Sequence, residues 1–153
     1  MANTYSQIRL HIVFAVKGRE CLIPKIHNDE LQKYITGIVT NLKCKMLAIN
    51  NVPDHAHMFI GMNPDLSVSE LIAKIKSNSS KWLNDNKYIR GRFEWQRGYG
   101  VFSYSKSQTS SVINYITGQE EHHKKKTFRE EYIEFLEKFE IDYKPDYLFE
   151  WIE

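Results

Sequence analysis

His55 and His57, separated only by Ala56, are the first residues in the chain whose type and spacing can do chemistry. Side chains two apart on a β-strand leave the same face, so both imidazoles would stand side by side. Neutral imidazoles so placed are good ligands for a divalent metal. Taken alone, the spacing fits equally well two strand histidines that hydrogen-bond with each other or with solvent. Tyr115 and Gln119 form a second pair, four residues apart and therefore on one side of a helix. Val112, Ile113 and Ile116 occupy a different sector, and His122 continues the polar stripe. A single helical tyrosine is most often a half-buried packing residue. A glutamine one turn later, in a chain that also offers a histidine pair, is a much rarer combination. His11, on the polar face of a predicted strand, fits an ordinary surface histidine at least as well as one that orients a ligand histidine or touches substrate.

The elements that must position these residues follow from periodicity. From Ser6 to Val16 the chain alternates, with Ile8, Leu10, Ile12, Phe14 and Val16 on one face and Gln7, Arg9 and His11 on the other, as in a half-buried strand. After Pro24, the residues Leu31, Tyr34, Ile35, Ile38, Val39 and Leu42 make a helical stripe. Cys44 to Val52 and His55 to Met62 read as two strands joined by the turn Asn51-Val52-Pro53-Asp54. Ser67 and Glu70 form a capping box for a second helix ending near Asn84 to Asn86, with Val68, Leu71, Ile72, Ile75, Trp82 and Leu83 as its buried stripe. A basic loop follows, then a fourth strand from Tyr99 to Ser105, its start loosened by Gly98 and Gly100. A helix capped by Thr109 or Ser110 and running to about Glu121 carries the tyrosine, and another covers Phe128 to Phe139. The order predicts an α+β fold: a ferredoxin-like, RRM-like βαββαβ core (residues 1–106) with an antiparallel sheet, then C-terminal helices over 107–153, all in one domain. Two helices cover one face of such a sheet and leave the other, with His55 and His57, open to a ligand.

Together these motifs resemble the HUH superfamily of single-tyrosine transposases, carried by insertion sequences and by their REP-associated relatives. His55-Ala56-His57 matches the histidine–hydrophobic–histidine signature, and Tyr115 to Gln119 matches Tyr-x-x-x-Gln. Trp95-Gln96-Arg97-Gly98-Tyr99-Gly100-Val101-Phe102-Ser103 and Gln119-Glu120-Glu121-His122-His123 are also similar to this group. The resemblance runs over nearly the whole chain and is weakest beyond Lys144. It implies Mg²⁺ or Mn²⁺ held by His55, His57 and, as third ligand, Gln119. It implies further that Tyr115 attacks a phosphorus of single-stranded DNA, leaving a 5′-phosphotyrosine and a free 3′-OH that later rejoins a strand. The expected partners are hairpins at element ends and a second copy of the chain, with the tyrosine helix serving either its own or the other subunit's histidines.

Charge agrees with a polyanionic partner without requiring one. Residues 130–153 hold nine acids against two bases, so the remaining chain carries an excess of bases beneath a net charge of +2. Lys74, Lys76 and Lys81 on the second helix, Arg90, Arg92 and Arg97 in the loop, and Lys124, Lys125, Lys126 and Arg129 are the candidate phosphate contacts. Tyr99, Phe102 and Tyr104 could stack bases or fill the core. Cys21 and Cys44 lack metal spacing and read as thiols of a reducing compartment; with no signal peptide and no membrane span, a cytoplasmic location is expected. Three rival readings have specific costs. A non-catalytic nucleic-acid binder of RRM type would want paired aromatics where His55 and His57 stand, whereas a domesticated transposase that keeps DNA or RNA hairpin binding without transposition stays open. A barrel hydrolase needs roughly 250 residues, and a histidine-triad hydrolase needs a histidine where Phe59 stands. Relaxases and replication initiators of the same superfamily usually place the tyrosine elsewhere and carry extra domains.

Overall fold

The structure is a computed structural model that describes residues 4–18, 21–119, 121 and 125–152. Four strands, β1 (Arg9–Ala15), β2 (Lys45–Val52), β3 (His55–Gly61) and β4 (Gly100–Ser103), form one antiparallel sheet in the order β2-β3-β1-β4. Helix α1 (Asn28–Asn41) connects β1 to β2, and α2 (Val68–Asp85) connects β3 to β4. This is the βαββαβ order expected, with β1 and β3 central. Ser67 Oγ accepts the Glu70 N–H at 3.1 Å and so starts α2 where the capping pattern places it. Leu31, Ile35 and Val39 of α1 and Leu71, Ile72, Ile75 and Leu83 of α2 pack with Ile12, Phe14, Ala56, Met58 and Ile60. Each such fully buried aliphatic or aromatic side chain contributes about 1.5–3 kcal/mol.

The second sheet face is not open. Helix α3 (Thr109–Thr117) lies across β2 and β3, where Val112 and Ile116 pack on Ala48 and Phe59. Helix α4 (Phe128–Lys138) buries Phe128, Tyr132, Phe135 and Leu136, with Phe135 stacked on Phe102 of β4 at 5.1 Å between ring centroids. His11, His55 and His57 are consequently fully buried. The core pattern predicts an exposed ligand face; the apolar stripe of α4 fills it instead. The final segment adds to this cover: Phe149 packs on Tyr132 at 4.9 Å, and Gln96 exchanges two 2.7 Å hydrogen bonds with the backbone of Glu150.

Three local features differ from the sequence reading. Helix α3 ends at Thr117, with a turn at Gly118 and helical backbone again at Gln119. The turn before α3 is closed by a capping box between Ser105 and Gln108, which places a short 3-10 turn ahead of Thr109. Gly100 is required by packing: a Cβ there would lie 2.7 Å from the Tyr132 ring. The described residues include no helix long and apolar enough to cross a membrane.

Candidate active site and metal centre

β3 supplies the two histidines, and their orientation is fixed from both sides. Asp54, the residue that enters β3, meets His55 Nδ1 at 2.8 Å. His57 faces Val13 across the β1 ladder, with His11 two pairs further along, and His11 Nε2 lies 2.7 Å from His57 Nδ1. Both contacts engage Nδ1 and leave each Nε2 on the side of α4. There Glu131 Oε1 stands 3.1 Å from His57 Nε2 and 3.6 Å from His55 Nε2. Phe128, at the start of α4, stacks flat on the His55 ring with 3.7 Å between centroids. Sheet register, Asp54 and His11 therefore turn both imidazoles toward one carboxylate. His55, His57 and Glu131 each offer a ligand atom, all within 4.8 Å of one another, and could hold a metal ion. Two imidazoles and a carboxylate suit a divalent cation.

Tyr115 completes the cluster. Its ring centroid lies 6.0 Å from that of His57, and its hydroxyl donates to Glu131 Oε2. One carboxylate thus faces the imidazoles with one oxygen and the phenol with the other. Burial and the neighbouring Glu131 charge push the Tyr115 pKa far above the ordinary phenol value, while a hydrogen bond from Gln119 works in the opposite sense. Gln119 is fully buried, and its Nε2 donates to the Tyr115 carbonyl at 3.2 Å. Burial lowers the His55 pKa, but hydrogen bonds and charge from Asp54 and Glu131 outweigh it and leave the value raised. His11 moves the other way: burial, then His57, hold its pKa well below the ordinary value, so this ring stays neutral.

The structure brings Tyr115, His55, His57 and His11 together, with Gln119 against Tyr115, and sets the basic residues of α2 and the following loop apart. Lys76, Lys81, Arg92 and Arg97 line a groove of about 1030 Å³ between α2 and the loop before β4. That groove is on the α1–α2 side of the sheet, since Lys76 Nζ sits 5.2 Å from the Phe14 ring centroid. Lys76 is partly committed there: it donates to the carbonyls of Gln96 and Gly98 at 2.8 and 2.7 Å, and burial lowers its pKa to about 8. Lys74 lines a separate recess with Lys33 of α1, and Arg90 is exposed but lines neither. Among the aromatics, Phe102 is core, Tyr104 is half-buried near Tyr115, and Tyr99 is exposed. Lys125 and Arg129 are exposed, and Lys126 pairs with Glu134 at 2.6 Å. His122 and Lys124, named in the polar stripe and the basic cluster, lie outside the described residues.

Comparison with known proteins gives the family and the fold. Residues 4–119 match the family described as "Transposase IS200 like", a span that includes both histidines, Tyr115 and Gln119. The chain belongs to the IS200-like transposase family. As a single-tyrosine transposase of the HUH superfamily, it is 31% identical over 133 residues to the transposase for insertion sequence element IS200 of Salmonella typhimurium. That alignment covers 81% of this chain and 84% of the relative. The same identity and coverage hold for the corresponding Salmonella typhi protein. Two solved structures share the fold. A candidate transposase from Deinococcus radiodurans R1 has a TM-score of 0.59 and 19% identity, over 76% of this chain and 94% of that one. A REP-associated tyrosine transposase bound to a REP hairpin has a TM-score of 0.60 and 15% identity, over 79% and 72%.

Two residues of this transposase escape the sequence reading. Asp54 reads as part of a turn, although an acid directly before a histidine pair is itself a signal for an orienting carboxylate. Glu131 lies in an acidic stretch and past the end of the family match. Its signal is positional: it shares the buried face of α4 with Phe128, Tyr132, Phe135 and Leu136.

Proposed function

We propose that this transposase cleaves and rejoins single-stranded DNA at the ends of an insertion element through a covalent tyrosine intermediate. The observation that carries the reading is the convergence of the Tyr115 hydroxyl and both Nε2 atoms on the two oxygens of one buried carboxylate, Glu131. Tyr115 is the nucleophile. Its hydroxyl proton passes to Glu131 Oε2, and the phenolate oxygen forms a bond to phosphorus as the bond from phosphorus to the 3′ oxygen breaks. The products are a 5′-phosphotyrosine and a 3′-hydroxyl, the leaving oxygen taking up the proton that Glu131 received and returning the carboxylate to its ionised form. Rejoining is the reverse step with another 3′-OH, and it needs no ATP because the phosphotyrosine conserves the bond energy.

His55, His57 and Glu131 hold Mg²⁺ or Mn²⁺ in this scheme, and Gln119, the ligand that the motif implies, contributes a neutral oxygen. The cation supplies Lewis-acid stabilisation of charge on the phosphate and the leaving oxygen. Asp54 and His11 hold the two rings in the ligand orientation. Lys81, Arg92 and Arg97, with Lys74, Lys76 and Arg90 flanking them, take backbone phosphates of a folded hairpin on the α2 face. We assign a homodimer as the working form, in which Tyr115 serves the histidines of its own chain or those of its partner. Residues 1–153 act as one catalytic unit in a cytoplasmic enzyme.

Labelled single-stranded oligonucleotides spanning the DNA on either side of the gene test the reading, incubated with Mg²⁺ or Mn²⁺ and resolved on a denaturing gel. A covalent protein–DNA band is expected that needs metal and Tyr115, disappears with Tyr115→Phe, and is absent with duplex substrate. Hairpin binding without any adduct would replace this reading with that of a non-catalytic hairpin binder.

A further inference from the structure

Beside the catalytic cluster is a cavity that the strand-transfer scheme does not use. It measures about 390 Å³ and is lined by His11, Tyr104, Ser111, Tyr115, Phe135 and Lys138, among others. We propose that it is a subsite for one unstacked nucleobase of the DNA strand, the base of a nucleotide next to the phosphate that Tyr115 attacks. The inference rests on the cleavage reading for the identity of that nucleotide, though not for the recognition of a base.

Four observations carry it. The volume is that of a small-molecule pocket, commonly about 300–1,000 Å³. The walls are aromatic, since Tyr104 and Phe135 border it, and aromatic faces hold unpaired bases by stacking. The carboxylates of Glu131 and Glu134 also line the space, which disfavours a phosphate and favours a neutral, flat ligand. Lys138 is committed to the aromatic wall, its Nζ 5.6 Å from the Tyr104 ring centroid. Finally, His11 Nδ1 is buried and has no hydrogen-bond partner among the described residues, while Nε2 of the same ring is taken by His57. A buried polar atom of this kind normally finds a partner. The polar edge of a base entering between Tyr104 and Phe135 would provide one. Tyr115 forms part of the same lining, so a base lodged here keeps its own phosphate within reach of the phenol.

The test walks a single abasic site through a labelled single-stranded oligonucleotide that spans an element end. Affinity is read in EDTA, where no cleavage occurs, for wild type, Ser111→Trp and His11→Phe. Ser111 is exposed on α3, so an indole there fills the cavity without entering the core, which an unchanged thermal midpoint verifies. At one position, loss of the base is expected to weaken wild-type binding at least about tenfold, as removal of a stacked base does. Ser111→Trp should bind intact and abasic strands equally at that position, and His11→Phe should lose discrimination among the four bases there. With Mg²⁺ present, the position should adjoin the cleaved phosphate. Absence of any base-dependent position, failure to bind single strands, or discrimination that survives in Ser111→Trp overturns the subsite. A base-dependent position with no covalent adduct would retain the subsite and remove the cleavage reading, so the two fail separately.

Discussion

Glu131 occupies a position where the pattern of its own helix calls for an apolar side chain. It is 4% exposed, between Phe128 and Tyr132 on one side and Phe135 on the other. A buried carboxylate is costly unless paired, and this one is held by His55, His57 and Tyr115. Exchange for an apolar side chain of similar size would leave both imidazole Nε2 atoms and the Tyr115 hydroxyl buried without that carboxylate. Glu131→Leu is therefore expected to lower the thermal midpoint, while Mn²⁺ affinity, read by titration calorimetry, falls more than about tenfold. Undiminished Mn²⁺ affinity would remove Glu131 from the metal centre. Asp54→Asn leaves all the ligands in place but weakens the hold on His55 Nδ1, and a loss of about 10–100-fold in the same titration is expected. The histidines also predict a pH dependence for the metal-free protein. His11 has a folded pKa below its unfolded value of about 6.5, so as pH falls below that value the unfolded chain takes up a proton that the folded chain refuses, and stability drops. His55 has a raised folded pKa, so its contribution is complete below about 6.5 and is lost as pH rises through the folded value. Unfolding midpoints across pH should therefore decline on both sides of about 6.5, and His11→Gln should flatten the acid side alone. An unchanged acid limb in that variant would show that His11 is not the group responsible.

At the scale of elements, the tyrosine helix and the cover helix are fixed by a few contacts with separable consequences. Asn50 of β2 donates to the Ile116 and Thr117 carbonyls at 3.0 and 3.4 Å, capping the last turn of α3 beside Tyr115, and Gln32 of α1 donates to Asn50 Oδ1. Asn50→Ala should cost about 1 kcal/mol in denaturant unfolding. Tyr132 and Gly100 meet as ring and backbone, so Gly100→Ala should cost about 1–3 kcal/mol by overpacking, and Tyr132→Ala in the same chain should recover part of it. Strictly additive losses would mean that the two sites do not touch. These contacts also explain what was legible in the sequence. Period-two alternation places His11 on its strand and pairs His55 with His57, because successive side chains of a strand leave opposite faces whatever later covers them. Helix α2 was readable from Ser67 and Glu70, a cap that acts within four residues. Closure of the histidine face was not readable, since no local pattern in Phe128–Lys138 says which sheet face its stripe will meet. Glu131 was hidden for the same reason: an acid among acids acquires meaning only once α4 is docked. The role of Gly100 depends on Tyr132, 32 residues later, a separation that no short-range rule spans.

At the scale of the whole molecule, the α2-side groove and the histidine–carboxylate cluster occupy opposite sides of the sheet. The cluster is closed beneath α3 and α4, with Lys126 and Arg129 beside Phe128 on that side, whereas Lys81, Arg92 and Arg97 stand at the groove on the α2 side. A strand that reaches both must pass around an edge of the sheet, so binding and cutting should separate under mutation. The basic residues differ in what they can offer. Lys76 is engaged by two carbonyls, and Lys81 pairs with Asp85 at 2.6 Å, whereas Arg97 is exposed and lines the groove. Arg97 should therefore contribute most cleanly to phosphate contact. Each phosphate neutralised releases condensed counterions, which sets the slope of log K against log salt at about 0.9 per contact for a duplex such as a hairpin stem. Arg97→Ala is expected to weaken hairpin binding and to reduce that slope by about 0.9, read by fluorescence anisotropy between low and physiological salt. Mn²⁺ affinity at the histidines should not change, because the groove and the metal centre share no residue. A slope identical to wild type would place the DNA elsewhere. A fall in Mn²⁺ affinity would mean that the two faces are coupled through the sheet, and the separation of binding from cutting would not hold.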